Sequence, residues 1–170
     1  NIASPYITDD RNLYQPPIKT ITWYHTGFAF ERGRILAAFE QEYFAVPGFA
    51  EHKLPQPTLT ADDLTADEWR EATRACKGMV LRQEVYELDV DALEQGQQLP
   101  VLLFTTAFHN SNIQRLQPQG RNRYAVFLVT ESEAITYHYE LDLKQGTPDP
   151  RIAHTLNLRF DNYGRALQTV

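Results

Sequence analysis

The 170-residue chain is 42% hydrophobic and 22% charged, with a formal net charge of −6. That composition excludes a wholly disordered chain, and negative charge that repels phosphate backbones leaves nucleic-acid binding without an electrostatic basis. Its one cysteine, Cys76, excludes a disulfide within the chain, and no apolar run approaches the roughly 20 residues that span a bilayer as a helix.

Residues 1–170 are read as a single domain, which at this size buries roughly 70% of the surface exposed by its unfolded chain. Nine Tyr and nine Phe favour strands. The chain begins at Asn1 rather than Met, without a basic and then apolar leader, so it reads as an excised piece or a processed product.

Residues 1–17 form a polar lead-in ending at Pro16-Pro17. In "IKTITWYHTG", Ile21, Trp23 and His25 alternate with Thr20, Thr22 and Tyr24, the period of a strand, closed by Gly27. "FERGRILAAFEQEYF" is helical in period, with Ile35 and Phe39 four apart; Gly33 weakens its first turn and Pro47-Gly48 end it. Residues 46–64 carry Pro47, Pro55 and Pro57 and read as an exposed connection. Thr65 and Glu68 form a capping-box pattern opening a second helix, on which Trp69, Ala72 and Cys76 share the face expected to be buried. Gly78 sits at the left-handed position that closes it.

"MVLRQEVYELD" follows as a strand with charges on both faces (Arg82, Glu84, Glu87), and is therefore expected to be only partly buried. "DALEQGQQ" reads as a loop or a single helical turn. "VLLFTTAF" and "NIQRLQP" read as two strands separated near His109-Asn110. A hairpin is expected from Tyr124 to Leu141, with "YAVFLV" and "AITYHYEL" as arms and "TESE" as its turn. "RIAHTLNLRF" alternates again into the turn Asp161-Asn162-Tyr163-Gly164, followed by Arg165–Val170. The sum is a mainly β (α+β) chain: an antiparallel sheet with two short inserted helices.

The chemistry-bearing residue types point away from catalysis. Cys76 lies at a helix C-terminus, where the dipole opposes thiolate formation, on an apolar face. Among His25, His52, His109, His138 and His154, none stands at the helical i, i+4 spacing of a zinc site. His138 and Glu140 share a strand face that His154 could approach, but they read as half-exposed sheet residues. Asp62, Asp63, Asp67 and Glu68 gather where negative charge complements a helix N-terminus. Arg115, Arg121 and Arg123 read as solvated loop arginines. No catalytic, cofactor-binding or metal residue is expected. The one binding constellation is the aromatic end of the first strand: Trp23 and Tyr24, with Phe28 and Phe30 nearby. Such a platform could hold a glycan or a partner peptide.

Four stretches, in this order, carry a family resemblance: "TWYHTG", "ADEWREATRACKGMVLRQEVYELD", "RLQPQGRNRYAVFLVTESEAITYHYE" and "DPRIAHTLNLRFDNYGRAL". From about Thr20 onward the chain resembles the middle/C-terminal region of the B component of insecticidal Tc toxin complexes, the TcdB-like, SpvB-related family. "FHNSNIQRLQP" fits more loosely than its neighbours. The resemblance implies a non-catalytic segment of a secreted bacterial virulence factor, linking a propeller to a shell of Rhs-type repeats. That shell, built with the C component, encloses a toxic enzyme, and the propeller docks it on the pore-forming A component. It implies no cofactor, no nucleic acid and no membrane contact for this segment. "RFDNYGRAL" resembles a variant Rhs hairpin, with Phe160-Asp161 where the repeat usually has Tyr-Asp. This implies that the pattern continues in a longer parent protein.

Overall fold

The computed structural model describes residues 15–27, 37–46, 48–55 and 57–170. The lead-in up to residue 14, Phe28, Phe30, Gly33, Ile35, Leu36 and Pro47 lie outside the described residues; residues 37–40 are helical.

The described strands form one sheet in the order β1-β3-β4-β5-β6-β7, every neighbour antiparallel, with β2 pairing in parallel beside β4. The strands are β1 (Ile18–Tyr24), β2 (Thr58–Leu59), β3 (Val80–Leu88), β4 (Pro100–Gln117), β5 (Val126–Asp142), β6 (Arg151–Phe160) and β7 (Ala166–Thr169). Besides the helical residues 37–40, the described residues contain the helices α1 (Ala66–Ala75) and the single turn α2 (Val90–Glu94). The fold is mainly β and antiparallel.

β4 and β5, of 18 and 17 residues, make one long hairpin that differs from the sequence reading in two places. The chain does not break at His109-Asn110, and "TESE" is not a turn but the middle of β5. The turn lies instead at 118–125. The polarity of Thr130–Glu133 mimics a loop because its side chains meet cross-strand partners: Glu131 pairs with His109 at 2.8 Å and Glu133 with His154 at 2.7 Å.

Register explains what this stretch does. Asn110 pairs with Glu133 but Ser111 pairs with Glu131, so β5 carries one extra residue, Ser132. A bulge of this kind reverses which alternate residues face inward. Above it Ile135, Tyr137, Tyr139 and Leu141 join Tyr86, Leu103 and Phe108 in the larger core. Below it Ile113, flanked by Val129 and Phe127, packs under Ala72 and Cys76 of α1. Asn110 and Ser111, both buried at the crossover, are neighbours on opposite faces.

α1 starts as its capping box predicts: the Thr65 hydroxyl accepts from the Glu68 N–H at 3.2 Å, and the Thr65 N–H donates to Glu68 Oε2 at 3.0 Å. Its buried residues are Glu68, Ala72 and Thr73, with Cys76 at the C-cap fully covered, whereas Trp69 is 37% exposed. The expectation that Trp69 belongs to the core is corrected: the face turned to the sheet runs through Glu68. That carboxylate is occupied twice over, accepting the Gln119 N–H at 2.8 Å and lying 3.6 Å from Arg115.

The terminal hairpin leaves the sheet gradually. β6 pairs with β5 from Arg151 to Leu156, and from Asn157 onward with β7. In its turn the Asp161 carboxylate accepts from the N–H groups of Tyr163 (2.8 Å) and Arg165 (2.9 Å). Gly164 adopts φ +81, and a Cβ there would lie 3.2 Å from Thr130 Cγ2 and 3.3 Å from a Leu128 methyl. The turn therefore rests on the first half of β5 through a glycine that needs both its conformation and its missing side chain.

Candidate functional site

The greatest concentration of buried polar chemistry is centred on Arg82, 1% exposed, in the middle of β3. Arg82, Glu84, Tyr86 and Leu88 alternate inward, so the expectation of a partly solvated strand is corrected on this face: its charges are core. Arg82 Nε donates to Glu84 Oε1 at 2.6 Å and an Arg82 terminal nitrogen to Glu51 Oε2 at 2.6 Å. The guanidinium carbon sits 4.3 Å from the Phe108 ring centroid and 4.8 Å from that of Tyr43. The remaining carboxylate valences are filled. Glu84 accepts the Phe44 N–H (2.9 Å) and the Tyr86 hydroxyl (2.6 Å); Glu51 accepts the Tyr139 hydroxyl (2.8 Å) and the Thr106 hydroxyl.

This network fastens the segment 42–54 onto the sheet. Phe44, Val46, Phe49 and Leu54 pack on the larger core, and the His52 N–H donates to the Tyr137 hydroxyl at 2.7 Å. Among its described residues Val46, Phe49, Glu51, Leu54, Pro57 and Leu59 are half-buried while Gly48, His52, Lys53 and Pro55 are exposed, so the Pro-rich stretch is only partly exposed. Between it and the sheet is a cavity of about 260 Å³ lined by Tyr43, Phe44, Phe49, Glu51, Arg82 and Phe108, among others. Burial pushes the Tyr43 hydroxyl up to about 12, and it pushes those of Tyr86 and Tyr139 up as well, reinforced by the carboxylates they donate to. Chemically the arrangement holds a cation between two carboxylates and two rings.

The sequence-selected residues are dispersed. Trp23 is buried, its indole N–H donating to Glu42 at 3.0 Å and its ring edge-on to Tyr43 at 4.9 Å. It is thus unavailable to an exposed platform, and of that constellation Tyr24 alone is described and exposed. Cys76 is enclosed by Ala72 and Ile113. His109 and His154 pair with Glu131 and Glu133, and exposed Glu140 pairs with Arg151 at 3.0 Å. Among the described residues no three His, Cys, Asp or Glu side chains converge as a metal site. Asp63 binds Arg115 at 2.7 Å, which makes that arginine a tether between β4 and the approach to α1 rather than a solvated loop residue. Glu51 was not singled out by sequence reading, and Arg82 and Glu84 only as charges expected to limit the burial of their strand. The available signal was the inward alternation of β3, where Arg82 and Glu84 fall in step with Tyr86 and Leu88.

Residues 71–170 match the family described as the insecticide toxin TcdB middle/C-terminal region. The chain belongs to that family. Solved structures agree over a wider span. The chain resembles chains in the Tc holotoxin pore of Photorhabdus luminescens carrying a mutation in TccC3 (28% identity, TM-score 0.63), in TcdB2-TccC3 without its hypervariable C-terminal region (30%, 0.63), and in TcdB2-TccC3 (29%, 0.63). Each match covers 91% of this chain and 7% of the larger one. No curated protein matches the chain. This TcdB-type segment is therefore similar to a small part of much longer toxin chains. No described helix is long and apolar enough to cross a membrane.

Proposed function

We propose that this segment is a non-catalytic structural part of a Tc toxin B component, linking its propeller to the Rhs-repeat shell that encloses the toxic effector. The observation that carries the reading is the match of 91% of the chain to a 7% portion of chains solved as TcdB2-TccC3. The sheet suits the role. Its longest elements are held by backbone ladders, and its buried polar groups are spent on fastening segment 42–54 to β3–β5 rather than on a reacting centre. Its partners are the remainder of the B component, the C component, and indirectly the pore-forming A component, in a secreted complex acting outside the bacterium. Nucleic acid and membrane are not among them.

The test is a deletion in the full-length B component. Removing residues 15–170 is expected to leave a product that no longer shields the C component's effector from added protease. Full shielding by the deleted chain would overturn the linking role.

A further inference from the structure

The turn of the long hairpin, residues 118–125, is braced along its length. Two carboxylates of α1 grip its backbone: Glu68 Oε1 accepts the Gln119 N–H at 2.8 Å, and Glu71 Oε2 accepts the Ala125 N–H at 2.8 Å. The Asn122 side-chain amide donates to the Pro118 carbonyl at 3.1 Å, and those of Gln117 and Gln119 donate to the carbonyls of Tyr124 (3.3 Å) and Arg123 (3.4 Å). The helix carboxylates thus answer backbone amides and leave the cations of the tip unanswered. Residues 114–126 hold Arg115, Arg121 and Arg123 and no Asp, Glu or Lys, a net +3 within a chain of net −6. Arg115 is taken up by Asp63 and Glu68, whereas Arg121 and Arg123 have no carboxylate partner among the described residues. Arg123 lies over the Tyr124 ring, 5.1 Å from its centroid. Leu116, Tyr124 and Val126, all exposed, stand at the same end of the hairpin.

We propose that this tip docks on an acidic protein surface within the toxin assembly, with Arg121 and Arg123 meeting its carboxylates and Tyr124, Leu116 and Val126 covering the apolar ground between them; this rests on the structural reading above. Composition selects a protein. Arginine and tyrosine are the side chains enriched at interface hot spots. Two free arginines fall short of the roughly 4–8 basic residues that hold an anionic membrane, and they form no stripe along which a nucleic-acid backbone could run. Bracing favours binding, because a loop already ordered loses little freedom on contact. Size selects the source. These side chains are far fewer than the roughly 20–30 residues a side of an interface between free partners. The acidic surface must therefore be held nearby by the assembly, where effective concentration replaces contact area.

The test uses the full-length B component assembled with its C component and carrying Arg121→Lys or Arg123→Lys. Either change keeps the charge and supplies an amine that a water-soluble carbodiimide couples to a touching carboxylate. Mass spectrometry is expected to find amide cross-links from position 121 or 123 to Asp or Glu outside residues 1–170. No cross-link from either position, or cross-links only within residues 1–170, would overturn the docking. Arg121→Glu combined with Arg123→Glu, in the same assembly, is expected to raise hydroxyl-radical labelling of Tyr124 by about threefold or more. Unchanged labelling would overturn the acidic character of the surface. Cross-links beyond residue 170, found together with full shielding of the effector by the chain lacking residues 15–170, would instead count against the structural reading and leave the docking standing.

Discussion

Arg82 shows how one buried charge can be tolerated. Taking a guanidinium and two carboxylates out of water costs several kcal/mol per ion, and the cost is offset only when every partner is in place. Here both carboxylates and both flanking rings are in place. Arg82→Met leaves Glu51 and Glu84 facing each other without the cation, and is expected to lose roughly 3–5 kcal/mol in urea unfolding. A loss under about 1 kcal/mol would show that the cluster is more solvated than its 1% exposure implies. Glu140 makes the opposite case. It lies in β5 at φ +50, the left-handed region, where two residues of β5 face one of β4. Glu140→Gly removes that strain at the loss of an exposed pair with Arg151, and is expected to hold stability level or raise it by up to about 1 kcal/mol. Glu140→Val should lower it, because a β-branched residue resists that conformation.

At the scale of elements, α1 was the easiest to read and also the source of a false inference. Its start is a local event, two side chains and two N–H groups within four residues, so the sequence displays it. Thr65→Ala should remove about 1 kcal/mol. Backbone N–H donors from Thr65 and Gln119 hold the Glu68 carboxyl below its usual range. Its stabilisation is therefore present above that range and lost as pH falls through the depressed value. Glu68→Gln should flatten the acid side of the stability profile, and an unaltered acid limb would contradict this. The buried face of α1 is a tertiary event. Glu68 is inside because Gln119 and Arg115, 51 and 47 positions away, receive it; its local part in the capping box does not by itself require burial. Trp69→Ala is accordingly expected to cost less than a core aromatic would, below about 2 kcal/mol. The same logic explains the misread hairpin. "TESE" has turn composition, and only the β4 register shows that its polarity answers His109, His154 and a bulge.

For the molecule as a whole, two cores on opposite faces of one long hairpin are joined at Ser132, and the larger one contains the three upshifted tyrosines. Their neutral forms belong to the folded state. That stability is complete below the ordinary phenol value near 10 and is lost as pH rises through the higher folded values, which for Tyr43 is about 12. The phenolate absorbance of Tyr43, Tyr86 and Tyr139, taken as the part lost in their Tyr→Phe variants, should therefore appear together with loss of sheet structure rather than ahead of it.

The assignment of this segment to the body of a Tc toxin B component meets its most direct test in electron cryo-microscopy of the full-length B component bound to its C component. The account predicts continuous density for the β1–β7 sheet between propeller and shell, with the 42–54 segment seated over Arg82. Density placing the sheet as a detached peripheral module, touching neither part, would contradict it.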